Sequence, residues 1–204
     1  MKKLLGMLLV SGAALLTGCL VTSVYPFYQQ KDLAFEPALL GEWTNSKEPA
    51  ERWKFEPEST NAYRFTYTSE GKDYGMRAHF FKLGENAFLD MFTTEESPNA
   101  QPPPIPSHFL FRVFQTSPNP KLAPLNYDWL KELLNKEPTA VRHYFIADEE
   151  KPDDTRLILT ADTAELQKFM LKHLKTEAAW KDGVELNRGS SAPKANPAKP
   201  INSK

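Results

Sequence analysis

The sequence predicts an α+β protein that is predominantly antiparallel β, either a meander or a barrel, with two helices of which the second lies near the C-terminus. Three observations predict this class. Apolar and polar residues alternate from residue 40 onward, turn-forming residues separate the alternating runs, and two later segments carry a helix N-cap followed by apolar residues at helical spacing. Period-two alternation is typical of half-buried strands.

The first five strands follow from the alternation of faces. Trp53 and Phe55 share one face of their run, and Tyr63, Phe65 and Tyr67 share one face of the next. Short stretches rich in Pro, Gly, Asn and Asp lie between the runs and predict chain reversals. The expected strands are 40–46, 50–56, 62–68, 74–83 and 87–92.

A proline-rich stretch at 98–106 interrupts the strands. Because proline fixes φ and lacks an amide N–H, we expect an exposed, extended loop here; a recognition segment for a proline-binding partner is the alternative. The next run, 108–115, carries apolar residues on both faces, so we expect a strand that is buried on both sides.

Two helices and three short strands complete the predicted order of elements. Asn126 predicts the N-cap of a helix that ends before Pro138. Asp162 and Glu165 predict a capping box at the start of a second helix with one apolar stripe. The expected later strands are 142–147, 156–160 and 184–187.

The first residues have the three parts of a secretion signal. Lys2 and Lys3 precede an apolar run at 4–16, and the small residues Thr17 and Gly18 leave room for a peptidase. The run is shorter than the ~20 residues that a membrane-spanning helix needs. We therefore expect the segment to be cleaved rather than retained.

The tetrapeptide Leu16-Thr17-Gly18-Cys19 resembles the lipobox of bacterial lipoproteins. The resemblance implies a diacylglyceryl thioether on Cys19, cleavage before it, and usually a third acyl chain on its new amino group. Several acyl chains, at ~0.8 kcal/mol per buried methylene, would anchor the protein to a membrane stably. Leu20 rather than an aspartate follows, which in diderm bacteria implies the outer membrane with the body facing the periplasm. The alternative is an ordinary secretion signal in which Cys19 is incidental.

Four regions are therefore expected. They are a lipoprotein signal peptide at 1–18, a short membrane-proximal tether at 19–32, a single antiparallel β-rich domain at 33–188 and a disordered tail at 189–204. The tail consists of Gly, Ser, Ala, Pro, Lys and Asn with one isoleucine, which is too little apolar surface to offset the entropy of ordering.

Charge and cysteine content exclude several classes of function. The chain has 25 basic and 26 acidic residues, and the body becomes more acidic once the lysines of the signal and of the tail are set aside. An acidic body does not attract nucleic acid, so no nucleic-acid partner is expected. Because Cys19 is the only cysteine, its acylation leaves no thiol for disulfides, nucleophilic catalysis or metal binding.

The tripeptide Gly41-Glu42-Trp43 opens the predicted meander, and Arg188 follows its last strand. These residues resemble the Gly-x-Trp motif of the lipocalins, which stack a late arginine on that tryptophan. The resemblance implies a lipocalin-like barrel whose floor is formed by Trp43 and Arg188 through a cation–π contact. The helix after residue 126 and the missing second lipocalin motif depart from the family pattern. The alternative is that Trp43 is a core residue of an α+β sheet domain.

No reaction centre is evident in the sequence. The four histidines, at 79, 108, 143 and 173, show no two-ligand helix spacing, so no metal site is expected. Asp90 lies between apolar residues; because faces alternate in a strand, we expect it to reach solvent or pair with an arginine rather than to act as a base. Hydrolase nucleophile and phosphate-loop motifs are missing. The sequence therefore favours a non-enzyme without a cofactor.

Two hypotheses for function remain. In the first, the membrane-anchored β domain binds an apolar or amphiphilic small molecule in an interior lined by six aromatic residues: Trp53, Phe55, Tyr63, Phe65, Tyr67 and Phe80. In the second, the domain is a structural or assembly module of the cell envelope that contacts another envelope protein through an exposed sheet edge or the loop at 98–106. The same aromatic set would then be a filled core.

Overall fold

The computed structural model describes residues 21–93, 107–146 and 155–189. Its strands, in chain order, are β1 Thr22–Ser23, β2 Leu33–Ala34, β3 Gly41–Asn45, β4 Arg52–Ser59, β5 Ala62–Ser69, β6 Lys72–Leu83, β7 Asn86–Thr93, β8 His108–Gln115, β9 Lys121–Pro124, β10 His143–Ile146, β11 Arg156–Leu159 and β12 Val184–Arg188. Two α-helices, α1 Tyr127–Lys136 and α2 Thr163–Lys172, and three short 3-10 helices complete the described part.

Strands β3 to β8 form an antiparallel meander in which each strand pairs with the next. The reversals contain residues with positive φ, a conformation that glycine adopts more readily than other residues. Glu70 and Gly71 have φ of 52° and 75° between β5 and β6, and Gly84 has φ of 59° between β6 and β7. The alternation in the sequence therefore predicted these strands to within a few residues at each end.

The meander closes into a barrel of eight strands. Strand β9 pairs with the second half of β8 on one side and with β12 on the other, and β12 pairs with β3. The predicted fold class, α+β with a largely antiparallel, lipocalin-like barrel, is confirmed. Strand β9, at 121–124, was not predicted, because four residues that end in a proline are too short to show an alternating pattern.

A sheet extension leaves the barrel at the first half of β8. There β8 pairs with β1 rather than β9, β1 pairs in parallel with β11, and β11 pairs with β10. Among the described residues, β10 pairs on one side only. The extension is thus a short sheet, β1–β11–β10, that continues one wall of the barrel.

Two hydrophobic cores lie on opposite sides of the barrel wall. The inner core fills the barrel and includes Trp43, Trp53 and Phe111. The outer core lies between the wall and the helices and includes Phe88 and Leu110. Strand β8 contributes to both cores, as its apolar residues on both faces predicted.

The helices cover the outer face of the wall. Asn126 caps α1 by accepting a hydrogen bond from the Trp129 amide at 2.8 Å, and Asp162 caps α2 by accepting from the Glu165 amide at 3.0 Å. The second half of the predicted capping box does not form. The Glu165 carboxylate binds Arg142 at 2.8 Å instead of accepting from the Asp162 backbone amide.

The segment expected to be a tether, 19–32, belongs to the folded body from residue 21 onward. Val21 is 3 % exposed in the outer core, β1 sits between β8 and β11, and Phe27 is 1 % exposed. Burial of apolar side chains and strand pairing fix residues 21–32 on the folded body. No helix in the described ranges is long and apolar enough to cross a bilayer.

Several expectations fall outside the described residues. They are the signal peptide and Cys19, the loop at 98–106 and the tail beyond residue 189.

Candidate functional site

The six aromatic residues predicted to line the barrel all lie in its inner core. They come from β4, β5 and β6, and each is nearly inaccessible to water: Trp53 2 %, Phe55 1 %, Tyr63 0 %, Phe65 1 %, Tyr67 3 % and Phe80 1 %. The period-two pattern places them there, because alternate residues of a strand point to the same side of the sheet.

These rings contact one another rather than surround a space. Trp53 meets Phe65 edge to face at a centroid distance of 5.4 Å, and Phe111 from β8 at 5.8 Å. Phe55 packs on Phe65 at 4.7 Å and meets Tyr63 at 6.0 Å. Separations of this size are those of well-packed aromatic pairs.

The exposed fractions of these six side chains also show whether the barrel encloses a cavity. A cavity of a few hundred Å³, the usual size of a small-molecule site, would give its lining residues surface that a water-sized probe can reach. The six side chains have almost none. They fill the space between the strands, and a ligand among them would require the rings to move apart.

One end of the barrel is closed by Trp43 and Arg188. The Arg188 guanidinium carbon lies 4.1 Å from the centroid of the Trp43 ring, and Nη1 donates to the Leu40 carbonyl at 2.9 Å. The Trp43 indole N–H donates to the Leu39 carbonyl at 2.8 Å. This is the stacked pair that the lipocalin resemblance implied for the floor.

A buried polar cluster lies where the chain reverses between β3 and β4. The Tyr67 hydroxyl donates to one carboxylate oxygen of Glu51 at 2.6 Å, and the Asn45 side chain donates to the other at 2.9 Å. Burial together with the Glu51 hydrogen bond raises the pKa of Tyr67 above the ordinary tyrosine range. Glu51, 5 % exposed, has both carboxylate oxygens hydrogen-bonded by these partners.

Asp90 is fully buried on the outer face of the wall, which corrects the expectation that it would reach solvent or pair with an arginine. One carboxylate oxygen lies 2.7 Å from His108 Nδ1, and the other accepts from the Phe27 amide at 2.8 Å. The pair joins β7 to β8 and holds the N-terminal segment on the barrel. The sequence marked Asp90 as unusual because it is an aspartate between apolar residues. Its partner, His108, could be identified only from the pairing register of β7 and β8.

His79 lies beside this pair. Its Nδ1 is 3.2 Å from the Tyr28 hydroxyl, and its ring stacks on Phe92 at 5.7 Å. Burial lowers the pKa of His79, and burial with the nearby Asp90 charge raises the pKa of Tyr28 to about 12. Neutral His79 can therefore accept a hydrogen bond from the protonated Tyr28 hydroxyl.

The other histidines are far from metal-site geometry. His143 Nδ1 contacts the Val141 carbonyl at 2.9 Å, and His173 packs between Trp129 and Phe169 with centroid distances of 5.1 Å and 4.7 Å. The described residues contain no group of three His, Cys, Asp or Glu that could hold a metal ion.

A groove on the outer surface was not predicted. It has a volume of about 390 Å³ and is lined by Arg112, Phe114, Leu174, Lys175, Glu177 and Trp180. Phe114 is 53 % exposed, and the Arg112 guanidinium carbon lies 4.7 Å from its ring centroid and 5.9 Å from that of Trp180. Only the tertiary fold brings these residues together, because β8 and the chain after α2 are far apart in the sequence.

Arg112 is the cationic centre of this groove. Its Nη1 donates to the Leu174 carbonyl at 2.6 Å, and partial burial lowers its pKa. No carboxylate lies within ion-pair distance of Arg112 among the described residues. The groove thus presents a partly desolvated positive charge between two aromatic rings.

Comparison with known proteins finds no matching family model, no similar curated protein and no similar solved structure.

Proposed function

We propose that the protein is a lipid-anchored extracytoplasmic lipoprotein that serves as an assembly module of the cell envelope and acts through its outer surface. Cys19 carries the acyl chains, and in a diderm bacterium the body faces the periplasm from the outer membrane. One observation carries the proposal: the barrel interior is filled by its own aromatic rings, with exposures of 0–3 % for the six residues that a ligand would have to contact.

The groove around Phe114 is the contact surface in this proposal. Tryptophan and arginine are enriched among the residues that dominate binding energy at protein interfaces, where an exposed aromatic ring commonly enters a partner's pocket. Here Arg112, Phe114 and Trp180 lie together, and within the described residues Arg112 has no acidic partner. The complementary partner is an envelope protein that offers an acidic side chain beside an apolar one.

Photo-crosslinking in cells tests this function. A photoreactive amino acid at position 114 of the acylated protein is expected to give one discrete protein adduct, and the same amino acid at position 171 none. Leu171, on α2, is the matched control because it is also apolar and 46 % exposed but does not line the groove. Equal labelling from both positions, or no adduct from position 114, would contradict the assembly role.

Amphiphile binding is the second candidate, and the groove rather than the barrel favours it. Its volume of about 390 Å³ falls within the usual range for small-molecule sites, and Arg112 would meet an anionic head group. Native mass spectrometry of the protein purified from cells distinguishes the two candidates. A retained amphiphile that Phe114→Ala releases and Leu171→Ala does not would favour binding over assembly.

The membrane attachment through Cys19 is tested separately. A Cys19→Ser protein is expected to leave the membrane fraction. If it stayed there, the lipid anchor would be refuted while the groove would remain as it is.

A further inference from the structure

We propose that one face of the sheet extension rests on the bilayer in which the protein is anchored. This face, called the anchor-side face below, is the side of β1, β10 and β11 that carries Thr22, Tyr144, Ile146, Arg156 and Ile158. The inference rests on the proposed acylation of Cys19 and adds to it an orientation: the body has a fixed side that contacts lipid.

The strand register places these residues together. Tyr144 of β10 is directly opposite Ile158 of β11, and Ile158 is opposite Thr22 of β1. Ile146 lies two residues along β10 from Tyr144, and Arg156 lies opposite it on β11, so both point the same way. On the opposite face of β11, Leu157 and Leu159 are fully buried in the outer core, which the helices cover.

Apart from Thr22 and Arg156, the anchor-side face is apolar, and its apolar residues belong to neither core. Tyr144 is 66 % exposed, the largest exposed fraction among the large apolar side chains of the described residues. Ile146 and Ile158 are half-buried and pack into neither the inner nor the outer core. A contiguous apolar patch that a soluble body leaves open usually marks a surface that something covers.

The length of chain before the structure begins identifies the occupant. Thr22 is three residues after Cys19, and three extended residues span at most ~11 Å. Strands lie ~5 Å apart, so Tyr144, two strands from Thr22, is within ~10 Å of it across the sheet. Val21 is buried, so the chain is fixed to the body two residues after Cys19. An acylated Cys19 must therefore bring the bilayer surface to this part of the molecule.

The composition of the face suits the lipid interface. Tyrosine is enriched at the boundary between head groups and hydrocarbon, where its ring is buried and its hydroxyl stays hydrated. Arg156 is the one charged residue on this side of the three strands, and the chain as a whole is slightly acidic. The contact is therefore apolar rather than electrostatic, and it should form on a zwitterionic membrane.

The experiment uses the full, acylated chain in phosphatidylcholine vesicles that contain a nitroxide on the lipid acyl chain. Because Cys19 is the only cysteine and its sulfur is occupied by the thioether, a Tyr144→Cys protein can be labelled at one position with a nitrobenzoxadiazole dye. Leu171→Cys is the matched control. Its side chain is similarly exposed, and α2 packs against the opposite face of the extension.

The dye at position 144 is expected to lose emission to the nitroxide, and the dye at position 171 to keep it. A second pair of proteins tests whether the dye enters the lipid by itself. Both carry the dye at Ile146→Cys, and one also carries Tyr144→Glu. The glutamate should reduce the quenching, because its charge would have to enter the lipid interface.

Three results would overturn the inference. Equal quenching at positions 144 and 171 would mean that the body has no fixed side. No quenching at position 144, in protein that floats with the vesicles, would mean that a partner or the segment 94–106 covers the face. That result would support the acylation of Cys19 and contradict the contact between the anchor-side face and lipid. Protein that does not float and whose intact mass lacks acyl chains would refute the acylation itself, and the inference with it.

Discussion

The Arg188 guanidinium occupies the space that a side chain on residue 41 would need. A Cβ atom built on Gly41 overlaps Arg188 Nη1, and the φ of Gly41 is 119°, which L-residues with side chains rarely adopt. Arg188 in turn lies over Trp43 at 4.1 Å. The glycine and the tryptophan of the Gly-x-Trp tripeptide are therefore both required by one arginine from the other end of the domain.

Gly41→Ala should destabilise the fold more than a glycine replacement elsewhere. Backbone strain of this kind costs about 1–3 kcal/mol, and the overlap with Arg188 adds to it. Gly84→Ala is the control, because Gly84 also has positive φ, 59°, but open space around it. Urea unfolding measures both. In an Arg188→Ala background the penalty of Gly41→Ala should shrink, and an unchanged penalty would contradict the steric explanation.

Phe65→Ala should open a cavity inside the barrel. Deleting a fully buried phenylalanine typically costs about 3–5 kcal/mol of unfolding free energy, because the surrounding rings relax only in part. An apolar dye should then gain fluorescence with the variant and not with the parent protein. Phe114→Ala, at a residue 53 % exposed, is the control that should do neither. Dye binding by the parent protein at the same strength would show that the interior is not filled.

Asp90→Asn should loosen the N-terminal segment. The amide has one acceptor oxygen where the carboxylate has two. Either the Phe27 N–H therefore loses its acceptor, or His108 must change tautomer to accept from the amide nitrogen, and a buried group left unpaired costs about 1–3 kcal/mol. Hydrogen exchange at the Phe27 amide should become faster. Asp32→Asn, in the same segment but half-exposed, should change it less. Unchanged protection of Phe27 would mean that packing alone holds the segment.

His79 should make stability depend on pH in one direction. Burial lowers its pKa in the folded state, so below the ordinary histidine pKa of about 6.5 the unfolded chain binds more protons than the folded one. The free energy of unfolding should therefore fall as the pH drops through 6.5 toward the folded pKa. His79→Gln, which can keep a contact with Tyr28, should flatten this dependence in urea titrations at several pH values. An equally steep dependence in the variant would assign the effect to another group.

Local chemistry was sufficient to predict most elements. The alternation at residues 53–55 and 63–67 identified strands because a half-buried sheet needs one apolar face. Asn126 and Asp162 marked helix starts because a short side chain must accept from the first free amides. Strands β1, β2 and β9 escaped prediction because two to four residues are too few to carry a periodic signal.

The site could be predicted only in part. The six aromatic residues were placed correctly inside the barrel, but whether such rings line a cavity or fill it depends on how closely the strands approach one another, which no pattern encodes. The groove at Arg112 could not be foreseen, since it joins β8 to residues more than sixty positions later. The partner of Asp90 likewise depended on register.

By itself, the sequence determined most of the order of strands and helices, the acidic balance of the body and the lone cysteine at a lipobox-like position, because these follow from residue type and spacing alone. The tertiary structure decided the rest. It closed the sheet through β9, packed the barrel with its own rings, and built the residues after Cys19 into the outer core. It also left Tyr144 exposed on the side nearest the predicted anchor. Those outcomes depend on contacts between residues distant in the chain, which only the folded backbone brings within reach.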